Sequence, residues 1–207
     1  MKRVKSIMEI YLMRHGQTAN NVNAQLTGQS DVPLTEYGIE QIQRVAPLLA
    51  DMQWDRVVVS SLSRAIHTAS IVAPGAAMEK VDWLKEFDFG YWVNHTWKEI
   101  ETMDPEGLKR YRSDWKYGVA ADGECFMDMY KRVSEGIWEV VRTSKPDAKI
   151  LIVAHAGPVD IMPVALLGLP VEAYHSFVPL QGVYSKFSGK MDTEGQWKFR
   201  LERWNMG

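Results

Sequence analysis

The sequence holds a single cysteine, Cys125, among its 207 residues. A lone thiol closes no intrachain disulfide and offers no cysteine-rich zinc cluster. It fits a reducing compartment, and the cytoplasm is the default expectation. No loop of small residues surrounds Cys125 to cradle a phosphate, so a small core or helix-start residue is expected there, not a nucleophile. Excess charge of either sign is also lacking, with 24 Lys+Arg against 26 Asp+Glu for a net charge of −2. That excludes the broad basic face of a general nucleic-acid or membrane-surface binder, so any anion site must be a local pocket. No long hydrophobic run marks a signal peptide or a membrane span. The basic start, Lys2 to Ile7, leads into no apolar stretch of useful length before Arg14. Met8 directly precedes the first strand and is an alternative start, which would make residues 1–7 a dispensable extension. Internal repeats, linkers and low-complexity tracts are missing as well.

The composition is that of a globular chain able to bury a core without staples: 46% of residues are hydrophobic and 24% charged. The length fits one domain, residues 1–207, with a small cap subdomain. Ile10-Tyr11-Leu12-Met13, Arg56-Val57-Val58-Val59-Ser60 and Lys149-Ile150-Leu151-Ile152-Val153-Ala154 are short apolar runs that predict buried strands. Helices are predicted between them. Thr35 caps one whose apolar positions are Ile42, Val45, Leu49 and Met52. Another runs from about Ser63 to Val72, stopped by Pro74-Gly75. Phe126, Met129, Val133, Ile137 and Val140 mark a long amphipathic helix ending before Pro146. A helix over about 158–168 and two strands, about 182–188 and 196–204, complete the chain. Residues 83–122, rich in aromatics and charges, predict an irregular, partly helical cap insertion over the sheet. The expected fold class is α/β: a three-layer sandwich with a mostly parallel central sheet flanked by helices.

Three predicted strands end in reactive or basic groups: Arg14-His15-Gly16 after the first, Arg64 after the second and His155 after the third. Parallel strands deliver their carboxyl ends to one edge of a sheet, where open α/β sheets bind ligands. A guanidinium suits an oxyanion, and a neutral imidazole nitrogen is a competent nucleophile. Taken singly, each group has a structural reading: a surface Arg-His pair, a helix-capping Arg64, a satisfied strand-end His155. Their coincidence at three strand ends points to chemistry on a phosphate ester.

Five blocks in order carry a resemblance. They are Leu12-Met13-Arg14-His15-Gly16-Gln17-Thr18 with Asn21, continued by Gly28, Asp31, Pro33-Leu34-Thr35, Gly38 and Gln41; Ser60-Ser61-Leu62-Ser63-Arg64-Ala65 with Thr68-Ala69; Leu84 to Trp92; Gly123-Glu124; and Val153-Ala154-His155-Ala156-Gly157. On these, nearly the whole chain resembles the histidine phosphatase superfamily, also called phosphoglycerate-mutase-like. Within it, the chain resembles the phosphatase branch, including small members such as α-ribazole phosphatases and broad-specificity sugar or acid phosphatases. The resemblance implies a metal-independent phosphomonoester phosphatase, using no cofactor and acting on a small phosphorylated metabolite. His15 would be the nucleophile that becomes a phosphohistidine. Arg14, Asn21, Arg64 and His155 would bind the phosphoryl oxygens, and Glu86 would protonate the leaving alkoxide and then activate water. That role wants a carboxyl set among apolar groups, which Phe87, Phe89, Tyr91 and Trp92 are expected to supply. No nucleic acid or membrane is expected as a partner, and a homodimer is compatible with the reading.

The chain departs from the family pattern at Gln25 and Thr27, at Asn94 where a Gly is usual, and at Cys125 where a Ser is usual. These bear on substrate recognition and loop geometry, not on the catalytic positions. His67, His95 and His175 match no catalytic position and are expected to be structural, surface or pocket-lining. Trp83, Trp92, Trp97 and Trp115 are expected in core and cap packing, with those of the insertion able to line a leaving-group pocket. A phosphoglycerate-type mutase is the first competing function, but nothing in residues 93–122 resembles the basic, proline-rich insertion of those enzymes. An inactive phospho-ligand-binding module is the second, and intact His15 and Glu86 argue against it.

Overall fold

The computed structural model describes residues 6–207; residues 1–5 of the expected extension lie outside the described residues. In chain order the elements are β1 (Met8–Arg14), α1 (Ala19–Val22), α2 (Glu36–Leu49), β2 (Arg56–Ser60), α3 (Ser63–Val72), β3 (Met78–Val81), α4 (Trp97–Met103), α5 (Pro105–Ser113), α6 (Phe126–Thr143), β4 (Lys149–Ala154), α7 (Ala156–Leu167), β5 (Tyr184–Met191) and β6 (Trp197–Met206). The strands form one sheet in the order β3-β2-β4-β1-β5-β6. β3, β2, β4 and β1 run parallel, while β5 and β6 pair antiparallel at one side.

Alternation along the strands divides the core into two layers. Met8, Ile10 and Leu12 of β1, with Ile150 and Ile152 of β4, face α6, α7 and the cap. Tyr11 and Met13, with Val57, Val59, Leu151 and Val153, face α2 and α3. The central strands are apolar on both faces because helices cover both, the pattern that makes them read as continuous hydrophobic runs. Leu84, Trp92, Ile100, Leu108 and Ala120, from the segment predicted as a cap insertion, belong to the same buried cluster as one sheet face.

The expected helix entrance at Thr35 is present: its hydroxyl accepts from the Gly38 amide at 3.0 Å. Two details differ from expectation. α2 ends at Leu49, so Met52 lies beyond it, half-buried against the same layer. β3 follows no apolar run; its centre is the exposed pair Glu79-Lys80, charges suited to a sheet edge that must not pair further.

Candidate active site

The strands that carry the predicted site groups are neighbours. β1 and β4 pair with Arg14 opposite Ala154, and β2 and β4 pair with Val59 opposite Val153. Their ends therefore emerge side by side, about 4.8 Å between strands. The His15 amide continues the ladder by donating to the Ala154 carbonyl at 3.0 Å, and the rings of His15 and His155 lie 5.0 Å apart.

His15 is buried, and its Nδ1 lies 2.6 Å from the Gly16 carbonyl oxygen. A carbonyl only accepts, so Nδ1 carries the proton and Nε2 keeps its lone pair. Burial, together with the positive charge of Arg64 and Arg14, lowers the ring's pKa to about 3 against the opposing pull of the Gly16 hydrogen bond. The imidazole is thus neutral at neutral pH.

Arg64, at the start of α3, is fully buried, and burial lowers its pKa to about 10 although Glu86 and Asp31 oppose the shift. It donates through Nη1 to the Ser30 carbonyl at 2.7 Å, through Nη2 to Gly28 at 2.8 Å and through Nε to His155 Nδ1 at 3.2 Å. Gly28 has φ of +51°, the left-handed region where a side chain is strained. His155 accepts from Arg64, so its proton sits on Nε2 and is donated to Ser60 Oγ at 2.8 Å. Burial, then the nearby His15, Arg64, Arg14 and Arg132, hold the His155 pKa well below the usual histidine value. Arg14 gives Nη1 to the Pro179 carbonyl at 3.0 Å, while its buried Nε has no partner among the described residues. Asn21 Oδ1 accepts from the Thr18 amide, the Thr18 hydroxyl and Gln181 Nε2 at 3.0, 2.9 and 2.6 Å, which turns the amide nitrogen to the other side.

Glu86 joins this group from the segment after β3. Its Oε1 accepts from the Phe87 amide at 2.9 Å and from the Gly157 amide, in the first turn of α7, at 3.1 Å. Glu86, Ala156 and Gly157 border a cavity of about 400 Å³ whose walls include Phe87, Phe89, Tyr111, Trp115, Phe126 and Tyr174. Phe87 and Phe89 are placed beside Glu86 as expected, but Tyr91 and Trp92 are not. Tyr91 is exposed, and Trp92 is wholly buried with its indole N–H donated to Asp104. Among the insertion tryptophans, Trp115 lines the cavity while Trp92 and Trp97 pack with Tyr111 behind it.

Other departures resolve locally. Asn94 has φ of +66° and accepts from Asn20 at 2.8 Å, so it meets the backbone demand of a usual Gly and adds a tie to the β1 exit. The Asn94 carbonyl also takes the Gln25 amide, whereas buried Thr27 Oγ1 is unpartnered among the described residues. Cys125 caps α6, its amide and thiol directed at Asp128, and burial pushes the thiol pKa up, in keeping with a helix-start role. His67 is exposed on α3, His95 bonds the Val93 carbonyl, and His175 is exposed with its ring tilted against the cavity-lining Tyr174.

Two groups were not singled out from the sequence. Arg132 of α6 donates to the carbonyls of Trp83, Lys85 and Glu86 and pairs with Glu124, clamping the turn that carries Glu86. Asp160 of α7 has a buried Oδ1 without a hydrogen-bond partner among the described residues. Its pKa is pushed up to about 8 by burial and by Glu86, with Arg14 opposing. The i+8 spacing of Arg132 from Glu124 is no local helix pair, and Asp160 looks in sequence like any surface acid.

Residues 10–205 match the histidine phosphatase superfamily (branch 1). Among curated relatives, the adenosylcobalamin/alpha-ribazole phosphatase of Escherichia coli is 32% identical over 86% of this chain and 88% of its own. A glucosyl-3-phosphoglycerate phosphatase of Mycolicibacterium vanbaalenii is 28% identical over 96% of this chain and 95% of its own, and a probable phosphoglycerate mutase GpmB of Yersinia pestis is 30% identical over 81% and 78%. The crystal structure of a putative alpha-ribazole-5'-P phosphatase from Escherichia coli superposes with a TM-score of 0.87 at 29% identity, covering 97% of this chain and 98% of that one.

Proposed function

Because the chain belongs to the histidine phosphatase superfamily, and its relatives named as ribazole and glucosyl-3-phosphoglycerate phosphatases hydrolyse phosphate esters, we propose that it is a metal-independent phosphomonoesterase working through a phosphohistidine on His15. The observation that carries this reading is the state of His15: neutral, fixed in one tautomer by Gly16, with bare Nε2 in a pocket whose positive charge comes from Arg14 and Arg64. Guanidinium and imidazole groups stabilise a phosphoryl group in flight, so the charge that spreads over its oxygens is met without a metal.

In the first step Nε2 of His15 attacks phosphorus as the bond to the ester oxygen breaks. Oε1 of Glu86 is held by two backbone amides, so Oε2 is the oxygen that passes a proton to the departing alkoxide. In the second step water attacks phosphorus, gives its proton to Glu86, and the N–P bond breaks to release inorganic phosphate and neutral His15. Arg14, Asn21, Arg64 and His155 bind the phosphoryl oxygens throughout. Arg64 Nε donates to His155 Nδ1, so for both to bind phosphoryl oxygens that contact must open and His155 must take a proton on Nδ1, which the negative charge of a phosphate favours.

The aromatic cavity beside Glu86 supports a leaving group with a flat or apolar body, and the ribazole phosphatases among the relatives make α-ribazole 5'-phosphate the first ester to test. The site supports a small-molecule phosphate ester as partner; among the described residues no helix is long and apolar enough to cross a membrane.

The test is phosphate release from p-nitrophenyl phosphate and α-ribazole 5'-phosphate without added metal. The wild type should release phosphate and trap an acid-labile phosphoryl label. His15→Ala should lose both, by at least about 10³-fold in rate, as expected when a nucleophile is removed. Isomerisation of 3-phosphoglycerate with negligible phosphate release would instead establish a mutase, and binding without a label would establish a phospho-ligand module.

A further inference from the structure

Glu86 must hold a proton when the alkoxide leaves, yet most of its surroundings favour the carboxylate. Oε1 accepts the amides of Phe87 and Gly157, and Gly157 belongs to the first turn of the 12-residue helix α7, the positive end of its dipole. The guanidiniums of Arg14 and Arg64 lie within the field of Glu86 and add positive charge. Arg132 of α6 bonds the Glu86 carbonyl but is paired with Glu124, so those two charges offset each other. The cavity that Glu86 borders adds Arg112 and the phenols of Tyr111 and Tyr174. His15 and His155 are neutral and bring no charge of either sign.

Asp160 opposes these influences. It lies three residues after Gly157 and four after Ala156 in α7, offsets that share one helix face with the amide that holds Glu86. The residue is half-buried, and its Oδ1 is shut off from water with no hydrogen-bond partner among the described residues. Such an acceptor is costly in a native fold and calls for a reason. Its charged neighbours are Glu86 and Arg14. Arg14 does not satisfy it: Nη1 of Arg14 is given to Pro179, and Nε is itself unpartnered. Two carboxyl groups facing one poorly solvated patch do not both ionise readily, so the pair retains a proton that either alone would lose.

We propose that Asp160 is a positioning residue for the acid: it forms a coupled carboxyl pair with Glu86 that keeps one proton at the site for the leaving alkoxide. The proposal rests on the phosphatase reading above. A charged Asp160 disfavours a charged Glu86 and so offsets the amides and guanidiniums, which lets the proton reside on Glu86 Oε2. When that proton passes to the alkoxide, both carboxyls are left charged. Their repulsion makes Glu86 the stronger base toward the water of the second step, and the proton taken from that water restores the pair. The Asp160 value of about 8, raised by burial and by Glu86, accords with such a pair.

Phenyl phosphate and p-nitrophenyl phosphate present the same groups at phosphorus and differ in how much the leaving oxygen needs a proton; p-nitrophenolate needs little. The ratio of their kcat/KM values within one preparation therefore reads the acid and cancels any loss of folded protein. In the wild type, kcat/KM for phenyl phosphate should hold to about pH 8 and fall above it, as the pair loses its last proton. Asp160→Asn keeps the shape and removes the second carboxyl, so that fall should begin at least about one pH unit lower. At about pH 7.5 the variant should then lose at least about fivefold on phenyl phosphate and less than about twofold on p-nitrophenyl phosphate. An unshifted fall, or equal losses on the two esters as a merely structural residue would give, overturns the proposal. So does a wild-type fall that already begins near about pH 4–5, the ordinary carboxylate range, a result that needs no variant to fold. Hydrolysis of p-nitrophenyl phosphate by the wild type keeps the phosphatase reading standing in either event; failure on both esters overturns both.

Discussion

At the level of single residues, the site depends on how each side chain's second hydrogen-bonding group is occupied. Nδ1 of His15 is spent on Gly16, Oε1 of Glu86 on two amides and Oδ1 of Asn21 on Thr18 and Gln181, so the opposite atom of each is left for a ligand. Arg132 extends this logic one step out. Its guanidinium makes a two-bond pair with Glu124, at 2.6 and 3.0 Å, while the same group binds three carbonyls of residues 83–86. Arg132→Ala removes all five bonds and strands a half-buried carboxylate. The expected loss is about 2–4 kcal/mol of stability in urea titration and roughly 10²-fold in kcat, with a smaller change in KM. Arg132→Lys should recover little, because a point charge cannot span the carboxylate and the turn together. An unchanged kcat in a folded Arg132→Ala protein would show that Glu86 needs no such clamp. The roles expected of His15, Arg14, Arg64, His155 and Glu86 could be named from five sequence blocks, and the fold brings these residues to one edge of the sheet. Arg132 and Asp160 could not, because their partners are supplied by chain segments far away in sequence.

At the level of elements, the nucleophile is held by contact between a strand exit and a helix start. A Cβ on Gly38, in the first turn of α2, would meet the Gln17 carbonyl oxygen at 2.2 Å and its nitrogen at 2.8 Å; one on Gly16 would meet the Gly38 carbonyl at 2.4 Å. Both glycines are needed for approach, with backbone against backbone and no flexible side chain to yield. Gly38→Ala must therefore shift the loop whose Gly16 carbonyl sets the His15 tautomer. We expect a destabilisation of about 1–3 kcal/mol, typical of overpacking, and a fall in kcat/KM of at least about tenfold. Thermal melting and steady-state kinetics on p-nitrophenyl phosphate check this, and wild-type values for both would place the loop elsewhere in solution. Apolar periodicity located β1, β2, β4, α3 and α6 because each buries a full face. It missed β3, whose charged centre Glu79-Lys80 carries no strand pattern, and it ran α2 on to Met52 because that side chain packs in the same layer after the helix has ended. The aromatic segment 87–92 was read as one apolar setting for Glu86; short turns there send Phe87 and Phe89 toward the cavity, Trp92 into the core and Tyr91 outward.

At the level of the whole molecule, a net charge of −2 coexists with a pocket built on a buried and a half-buried guanidinium and two neutral imidazoles. Folding therefore couples to pH. His15 and His155 have folded pKa values below the usual 6.5, so below that pH the unfolded chain binds more protons and stability falls as pH drops, for His15 down to about 3. Each contributes a slope of up to about 1.4 kcal/mol per pH unit. Asp160 acts in the opposite sense: its folded value of about 8 against 3.8 unfolded means stability falls as pH rises through that window. Above about 6.5 the Asp160 effect is left without the histidine effect, and below it two histidines outweigh one carboxyl. Urea titrations from pH 5 to 8.5 should show maximal stability near pH 6–7, with the alkaline decline reduced in Asp160→Asn. A curve rising monotonically to pH 8.5 would contradict this. The sequence by itself determined the α/β order and the family to which the chain belongs, because buried strands, helix caps and the Arg-His-Gly exit are encoded by neighbouring residues. Only the tertiary structure decided which oxygen of Glu86 is free, what Arg132 clamps, and that Asp160 is buried without a partner. Those facts depend on groups brought together by the pairing of β2, β4 and β1 and by the closure of the cap on α7, distances that no local pattern records.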